Sequence, residues 1–322
     1  MTDAEAMAAA IALGEEARGT TAPNPNVGCI IFNRGRAFGR GATAPGGRPH
    51  AEAIALDEAG EAARGATLCV TLEPCAHDST RGPACADLII AAGVARVVAA
   101  LGDPDPRTDG KGFTRLRDAG IEVDVGEGAD AAAASLAGFL TRIRLGRPFV
   151  TLKLAMSIDG KIALPSGESR WITGEDARAD VHLERARCDM ILVGRGTLEA
   201  DDPRLDVRLP GLEGRSPLRA LLTRGAAPGG WKRIGAPEEI FGLEGVNDLL
   251  VEGGSAAASA FLAADLVDRL LIYRAPILVG EGKSALGWIG LSDLAAAHGR
   301  WRLTGSRMLG RDRLEVYERE RN

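Results

Sequence analysis

Apolar residues recur along this chain in two rhythms that exchange places many times. Short, unbroken apolar runs at 27–32, 67–72 (TLCVTL) and 96–101 (RVVAAL) have the length and bounding turn residues of buried strands. Stretches at 51–63, 86–92 and 112–119 have helical periodicity and lie between them. The first segment is alanine-rich and helical, with Thr2 and Glu5 at capping-box spacing. Such alternation predicts an α/β sandwich around a largely parallel sheet.

A helix over about 130–145 runs into Gly146-Arg147-Pro148, where glycine and proline punctuate the chain and a new β pattern begins. The boundary is predicted there, giving domains 1–146 and 147–322. The second half reads as a strand at 149–156, a helix at 176–186, strands at 190–193, 218–222 and 248–251, and a helix at 255–264. Its last third (RLLIYRAPILVG, RWRLTGSRML, RLEVYER) reads as antiparallel β structure.

Composition narrows the function classes. With 322 residues and 45% hydrophobic content, each half can bury its own core. A net charge of −5 lacks the basic footprint of a nucleic-acid binder, and 4% aromatics leave little for stacking on bases. No apolar stretch approaches the ~20 residues that span a bilayer. Five cysteines, an odd number, with no basic-then-apolar leader argue against a disulfide framework and for a cytoplasmic protein.

The chemistry in the first half centres on His50-Ala51-Glu52, Pro74-Cys75 and Cys85. Imidazole and thiolate suit zinc, and three protein ligands leave a position for water, as in catalytic rather than structural sites. Glu52, two residues past a ligand and in the first turn of a helix, is placed to shuttle protons. H-x-E with P-C-x-x-C is the signature of zinc nucleobase deaminases, and this chain departs from its short form in having nine residues between Cys75 and Cys85. The bland alternatives are a capping or surface His50 and inert small cysteines. His77 is the rival fourth ligand that would make the site structural. Cys29 and Cys69 read as core.

The runs TAPNPNVGC (21–29), HAE (50–52), TLEPCAH (71–77) and AAGVARVV (91–98) resemble the deaminase domain of the bifunctional riboflavin-biosynthesis deaminase/reductase family. The resemblance implies a cytidine-deaminase-like three-layer α/β/α domain, one zinc, and deamination of a diaminopyrimidinone ribosyl phosphate. It implies His50, Cys75 and Cys85 as ligands, Glu52 as proton shuttle, and Asn24, His77 and Arg81 as substrate contacts.

In the second half, 151–163 (TLKLAMSIDGKIA) reads as a core strand and hairpin around an Asp-Gly turn. Gly194-Arg195-Gly196 after a strand is a weak dinucleotide signal without the third glycine. Glu252-Gly253-Gly254-Ser255 between a strand and a helix start makes a better phosphate cradle. Together these segments resemble the dihydrofolate-reductase-like α/β reductase domain of the same family. That implies NADPH contacts at Ala155, Trp171, Thr197, Asp201, Gly254, Ser255 and Ala256. It also implies substrate contacts at Ser169, Arg185, Leu205, Arg208 and Glu252, of which the arginines can fork onto a phosphate. Hydride transfer needs no protein nucleophile, so binding residues are expected rather than a triad. The resemblance further implies a homodimer or homotetramer.

The chain departs from the family in places. The loop between Cys75 and Cys85 has nine residues, one more than usual, and the DPNP motif reads Asp103-Pro104-Asp105-Pro106. The 223–248 region is short, with Arg224 where a small polar residue is usual, and is expected to have lost a strand and a helix. This leaves as an alternative a deaminase whose reductase domain is degenerate. Rival classes are a nucleoside or tRNA deaminase with an appended domain, and a non-enzymatic zinc-stabilised binding module.

Overall fold

The computed structural model describes residues 1–77 and 82–321. The chain forms two compact units, Met1–Gly146 and Arg147–Asn322.

The first unit runs α1 (Asp3–Ala17), β1 (Gly28–Asn33), β2 (Arg36–Ala42), α2 (Ala51–Ala59), β3 (Thr67–Val70), α3 (Cys85–Ala92), β4 (Arg96–Ala99), α4 (Lys111–Asp118), β5 (Glu122–Val125), α5 (Ala129–Ser135) and α6 (Ala137–Leu145). The capping box forms: Glu5 N–H donates to Thr2 Oγ1 at 3.3 Å and Thr2 N–H to Glu5 Oε2 at 2.8 Å. The sheet order is β2-β1-β3-β4-β5. It is mixed rather than largely parallel, because β1 is antiparallel to both β2 and β3 while β3, β4 and β5 are parallel. The β1–β2 link is a short hairpin, which can only join antiparallel strands.

Side chains of β1 alternate across the sheet. Cys29 and Ile31 pack with Ala51 and Ala55 of α2, Ile89 of α3 and Leu116 of α4. Ile30 and Phe32 pack with Ala6, Met7 and Ala10 of α1 and Ala132 of α5. That makes three layers, α/β/α. The layers approach closely through glycine: a Cβ on Gly28 would lie 1.8 Å from Ala10 O, and one on Gly41 2.1 Å from Ala51 O. Gly41 thereby lets β2 press against the helix that carries Glu52.

The second unit runs β6 (Phe149–Ser157), β7 (Lys161–Ala163), α7 (Glu175–Ala186), β8 (Met190–Gly194), α8 (Arg195–Asp201), β9 (Leu218–Leu222), β10 (Lys232–Ile234), β11 (Asp248–Val251), α9 (Ser255–Ala263), β12 (Arg269–Ala275), β13 (Lys283–Ser284), β14 (Trp301–Leu309) and β15 (Asp312–Arg319). Eight strands form one sheet in the order β10-β9-β8-β11-β6-β12-β15-β14. The first six are parallel neighbours, and β15 and β14 extend the sheet antiparallel. Phe261 of α9 packs in one apolar cluster and Val181 of α7 in another.

Two expectations change here. The Asp-Gly turn after β6 does not make a β6–β7 hairpin, because β7 pairs with β13. Asp159 directs this: its carboxylate accepts from the Ser157 hydroxyl at 2.6 Å and from Gly280 N–H at 2.7 Å, tying the turn to a distant segment. The 223–248 region keeps a strand, since β10 pairs parallel with β9 and is followed by a 3-10 turn at Pro237–Gly242.

A candidate zinc centre and a second polar site

His50 is the N-cap of α2, and Glu52 lies in that helix's first turn. Cys75 sits in the loop after β3, and Cys85 is the first residue of α3. These elements converge at the ends of neighbouring strands. His50 Nδ1 lies 3.2 Å from Cys85 Sγ and 3.6 Å from Cys75 Sγ. Around a tetrahedral zinc, a nitrogen and a sulfur ligand would be about 3.5 Å apart, given bond lengths of ~2.0 and ~2.3 Å. The three donor atoms all lie within 4.8 Å of one another, and among the described residues they are the single group able to hold a metal in this way. The donor set therefore fits zinc and leaves a fourth position free of protein. His77 stands outside it, with Nδ1 3.5 Å from Thr108 Oγ1. The rival closed site is not formed among the described residues.

The electrostatics suit metal binding. Hydrogen bonding from Cys85 leads in holding the Cys75 thiol far below its usual range, so Cys75 is the thiolate of the pair. That thiolate, with burial, pushes Cys85 up. The Cys85 N–H also donates to Cys75 Sγ at 3.2 Å. Burial works against a charged His50, but the Cys75 acceptor and the Glu52 and Cys75 charges outweigh it and raise the imidazole. Glu52 is buried, and burial raises its carboxyl above the usual range. A carboxyl raised in this way takes up a proton more readily than an exposed one. Asn24 Nδ2 donates to Gly47 O at 2.7 Å and lies 3.4 Å from His50 Nε2, so it borders the site. Arg81 lies outside the described residues. Cys29 and Cys69 are core.

Sequence reasoning passed over Glu73, two residues before Cys75. Its buried carboxylate accepts from four backbone N–H groups: Asp103 at 3.2 Å, Gly110 at 3.1 Å, Gly112 at 2.9 Å and Phe113 at 3.2 Å. It caps α4 and fastens the 103–113 segment beside the ligand loop. Within that segment Asp103 is pushed up to about 6, chiefly by burial.

The second unit has its own polar centre. Arg185 of α7 forks onto Glu252, at the end of β11, with Nε–Oε1 2.6 Å and Nη2–Oε2 2.9 Å. Arg185 Nη1 also donates to Asp206 O at 3.1 Å. Lys153 of β6, not singled out from the sequence, has Nζ 3.8 Å from Glu252 Oε2 and 6.0 Å from the Tyr273 ring centre. Burial lowers Lys153 first, and Glu252 opposes that. Burial would raise Glu252, but Arg185 and Lys153 hold it below the usual carboxylate range. Arg208 joins this group through His182 and Asp206. Leu205 has φ +56° and its side chain is buried in the core, so only its backbone can face a ligand.

Thr197 and Gly254 meet, Gly254 N–H donating to Thr197 Oγ1 at 3.0 Å. This joins the β8–α8 and β11–α9 junctions, where Ser255 and Ala256 open α9. Asp201 O accepts from Arg170 Nη2 at 2.7 Å. Trp171 is exposed, with Arg178 4.6 Å and Arg170 5.9 Å from its ring centre. Ala155 lies on β6, and Ser169 is half-buried in the 164–174 segment, with no hydrogen bond to the Glu252 group among the described residues.

Comparison with known proteins fits both sites. The model of the cytidine and deoxycytidylate deaminase zinc-binding region matches residues 1–101, and that of the RibD C-terminal domain matches 148–228 and 239–314. The riboflavin biosynthesis protein RibD of Escherichia coli (strain K12) is 39% identical over 346 residues, covering 92% of this chain and 94% of that protein. The chain belongs to the RibD family. RibD of Mycobacterium tuberculosis (strain H37Rv) is 40% identical over 326 residues, covering 96% and 95%. Acinetobacter baumannii RibD, form 1, matches with a TM-score of 0.87 at 36% identity over 99% of both chains. A Thermotoga maritima structure described as a diaminohydroxyphosphoribosylaminopyrimidine deaminase/5-amino-6-(5-phosphoribosylamino)uracil reductase matches with a TM-score of 0.90 at 32% identity, again over 99% of both. The degenerate-reductase alternative falls with these matches. The RibD C-terminal domain is matched on both sides of 229–238, and the shortened region still supplies β10 to the sheet. Among the described residues no helix is long and apolar enough to cross a membrane.

Proposed function

We propose that residues 1–146 deaminate a diaminopyrimidinone ribosyl phosphate and residues 147–322 then reduce the ribosyl chain of the product with NADPH. The observation that carries the first step is the convergence of His50, Cys75 and Cys85 beside a buried Glu52. Zinc held by these ligands would lower the pKa of a water and so make hydroxide available as nucleophile near neutral pH. Glu52 carries the two protons of the attacking water in turn, one to the ring nitrogen and one to the departing amino group, so that the C–N bond breaks, ammonia leaves and a carbonyl remains. Burial raises this carboxyl above the usual carboxylate range, which favours its taking up a proton. Asn24 and His77 orient the pyrimidine, and Arg81 completes the substrate contacts.

In the second step NADPH supplies the hydride to C1′ of the sugar. The cofactor is cradled by Thr197, Asp201, Trp171, Ala155 and the Gly254-Ser255-Ala256 turn. Arg185, Arg208, Ser169 and the Leu205 backbone bind the sugar phosphate, with Glu252 fixing Arg185. Lys153, half-buried beside Glu252 and with its pKa lowered chiefly by desolvation, gives a proton to the sugar oxygen as the ring opens.

The protein acts as a homodimer or homotetramer in the cytoplasm, a compartment in keeping with five free cysteines and a thiolate metal site. Glu52→Gln tests the first step. The variant keeps its zinc, read by metal analysis, and releases no ammonia; deamination surviving in it would overturn the role of Glu52.

A further inference from the structure

The segment that Glu73 fastens beside the ligand loop also carries a charge pair. Asp105 Oδ1 accepts from Arg107 N–H at 2.9 Å and from Arg107 Nε at 3.0 Å, and Asp105 Oδ2 accepts from Nε at 3.1 Å and from Nη2. The carboxylate is nearly covered, with its side chain 10% exposed, while the guanidinium is 68% exposed. Only one edge of Arg107 is engaged, and its Nη1 has no partner among the described residues. We propose that Arg107, held by Asp105, is a specificity-determining contact for the phosphate of the deaminase substrate; this rests on the deaminase reading above.

Three observations support it. The first is position. Thr108, next in the chain, is fully buried with Oγ1 3.5 Å from His77 Nδ1, and Glu73 binds Asp103 N–H, so 103–108 lies against 73–77. Asp105 leads in raising the Arg107 guanidinium, and the Cys75 charge also reaches it. The second is charge. The family's amide at 105 is a carboxylate here, and an unpaired carboxylate facing a phosphorylated substrate would repel it. Arg107 cancels that charge. The third is geometry. A guanidinium carries five donors in a rigid fork, and an arginine held along one edge by a carboxylate presents the other edge already oriented, which suits a phosphate.

The test compares kcat/KM for ammonia release from the phosphorylated substrate and from its dephosphorylated counterpart, using the full zinc-loaded chain. A charge-assisted contact of this kind corresponds to about tenfold or more in that ratio. Arg107→Ala lowers the wild-type preference for the phosphorylated substrate by about this factor, through KM, and Arg107→Lys restores part of it. Asp105→Asn lowers it less, because the guanidinium stays and loses only its anchor. Should R107A be insoluble, Arg107→Gln, which keeps the volume, is read the same way. An unchanged ratio in R107A or R107Q, with wild type active, overturns this inference alone. A wild-type chain releasing ammonia from neither substrate removes the deaminase reading and this inference with it.

Discussion

Replacing Glu252 with Ala removes the anion on which the polar centre of the second unit depends. In the native chain Glu252 balances two cations, the forked Arg185 and Lys153. After the change Arg185 keeps only its bond to Asp206 O, and Lys153 has the Tyr273 ring 6.0 Å away. Breaking a buried ion pair on one side costs about 3–5 kcal/mol, because the remaining charge stays desolvated. Lys153 can relieve part of this by giving up its proton, so the lower end of that range, about 3 kcal/mol, is expected. For a unit of this size each kcal/mol moves Tm by about 2–4 °C, which predicts a fall of roughly 6–12 °C. The assay is direct: all four tryptophans (Trp171, Trp231, Trp288 and Trp301) lie in the second unit, so a fluorescence melt of the full chain reports that unit alone. The pH dependence has a fixed sign. Glu252 is held below the usual carboxylate range, so its contribution is present above its unfolded pKa of about 4.3 and is lost as pH falls below it. The gap between wild type and E252A therefore narrows on acidification. A Tm change under about 2 °C at pH 7, or a gap that widens in acid, would show that Glu252 does not hold this centre together.

Other consequences follow from the first unit. Chelating zinc lowers the stability of this unit by about 2.7 kcal/mol where free zinc had been at a hundredfold excess over Kd, read by urea unfolding followed by circular dichroism; an unchanged curve would show that no metal was bound. Glu73→Ala leaves four backbone donors without their acceptor and costs roughly 3 kcal/mol in the same measurement, whereas a loss below about 1 kcal/mol would mean the 103–113 segment is fastened by other contacts.

The sequence made the local chemistry legible and left the long-range partners hidden. The capping box of α1, the helix carrying Glu52 and the cysteine at the start of α3 follow from short-range spacing, and the structure forms each of them. β2 escaped notice because RAFGRGA lacks an apolar run. It becomes a strand through its pairing with β1 and the close approach of Gly39 and Gly41 to α2, which local pattern does not encode. β5 (EVDV) escaped for a similar reason, being a polar edge strand paired only with β4. The Asp-Gly turn after β6 was visible, but not the Gly280 N–H that redirects it. Glu73 gave no signal because its four partners lie 30 to 40 residues downstream. Lys153 was hidden inside a strand, where a lone lysine usually points to solvent; here α7 and β11 close over it with Arg185 and Glu252. The shortened 223–248 region showed the opposite error: missing length suggested a missing strand, yet three residues suffice for β10.

Two consecutive activities reside in one chain under this proposal, and one experiment reads both. The zinc-loaded protein is given the diaminopyrimidinone ribosyl phosphate, first without and then with NADPH, while ammonia and absorbance at the NADPH band are followed together. The expected result is ammonia release without NADPH and, once it is added, one NADPH oxidised for each ammonia released. Ammonia release with no NADPH oxidation would contradict the reductase half, and no ammonia release would contradict the assignment of His50, Glu52, Cys75 and Cys85 from which the rest was built.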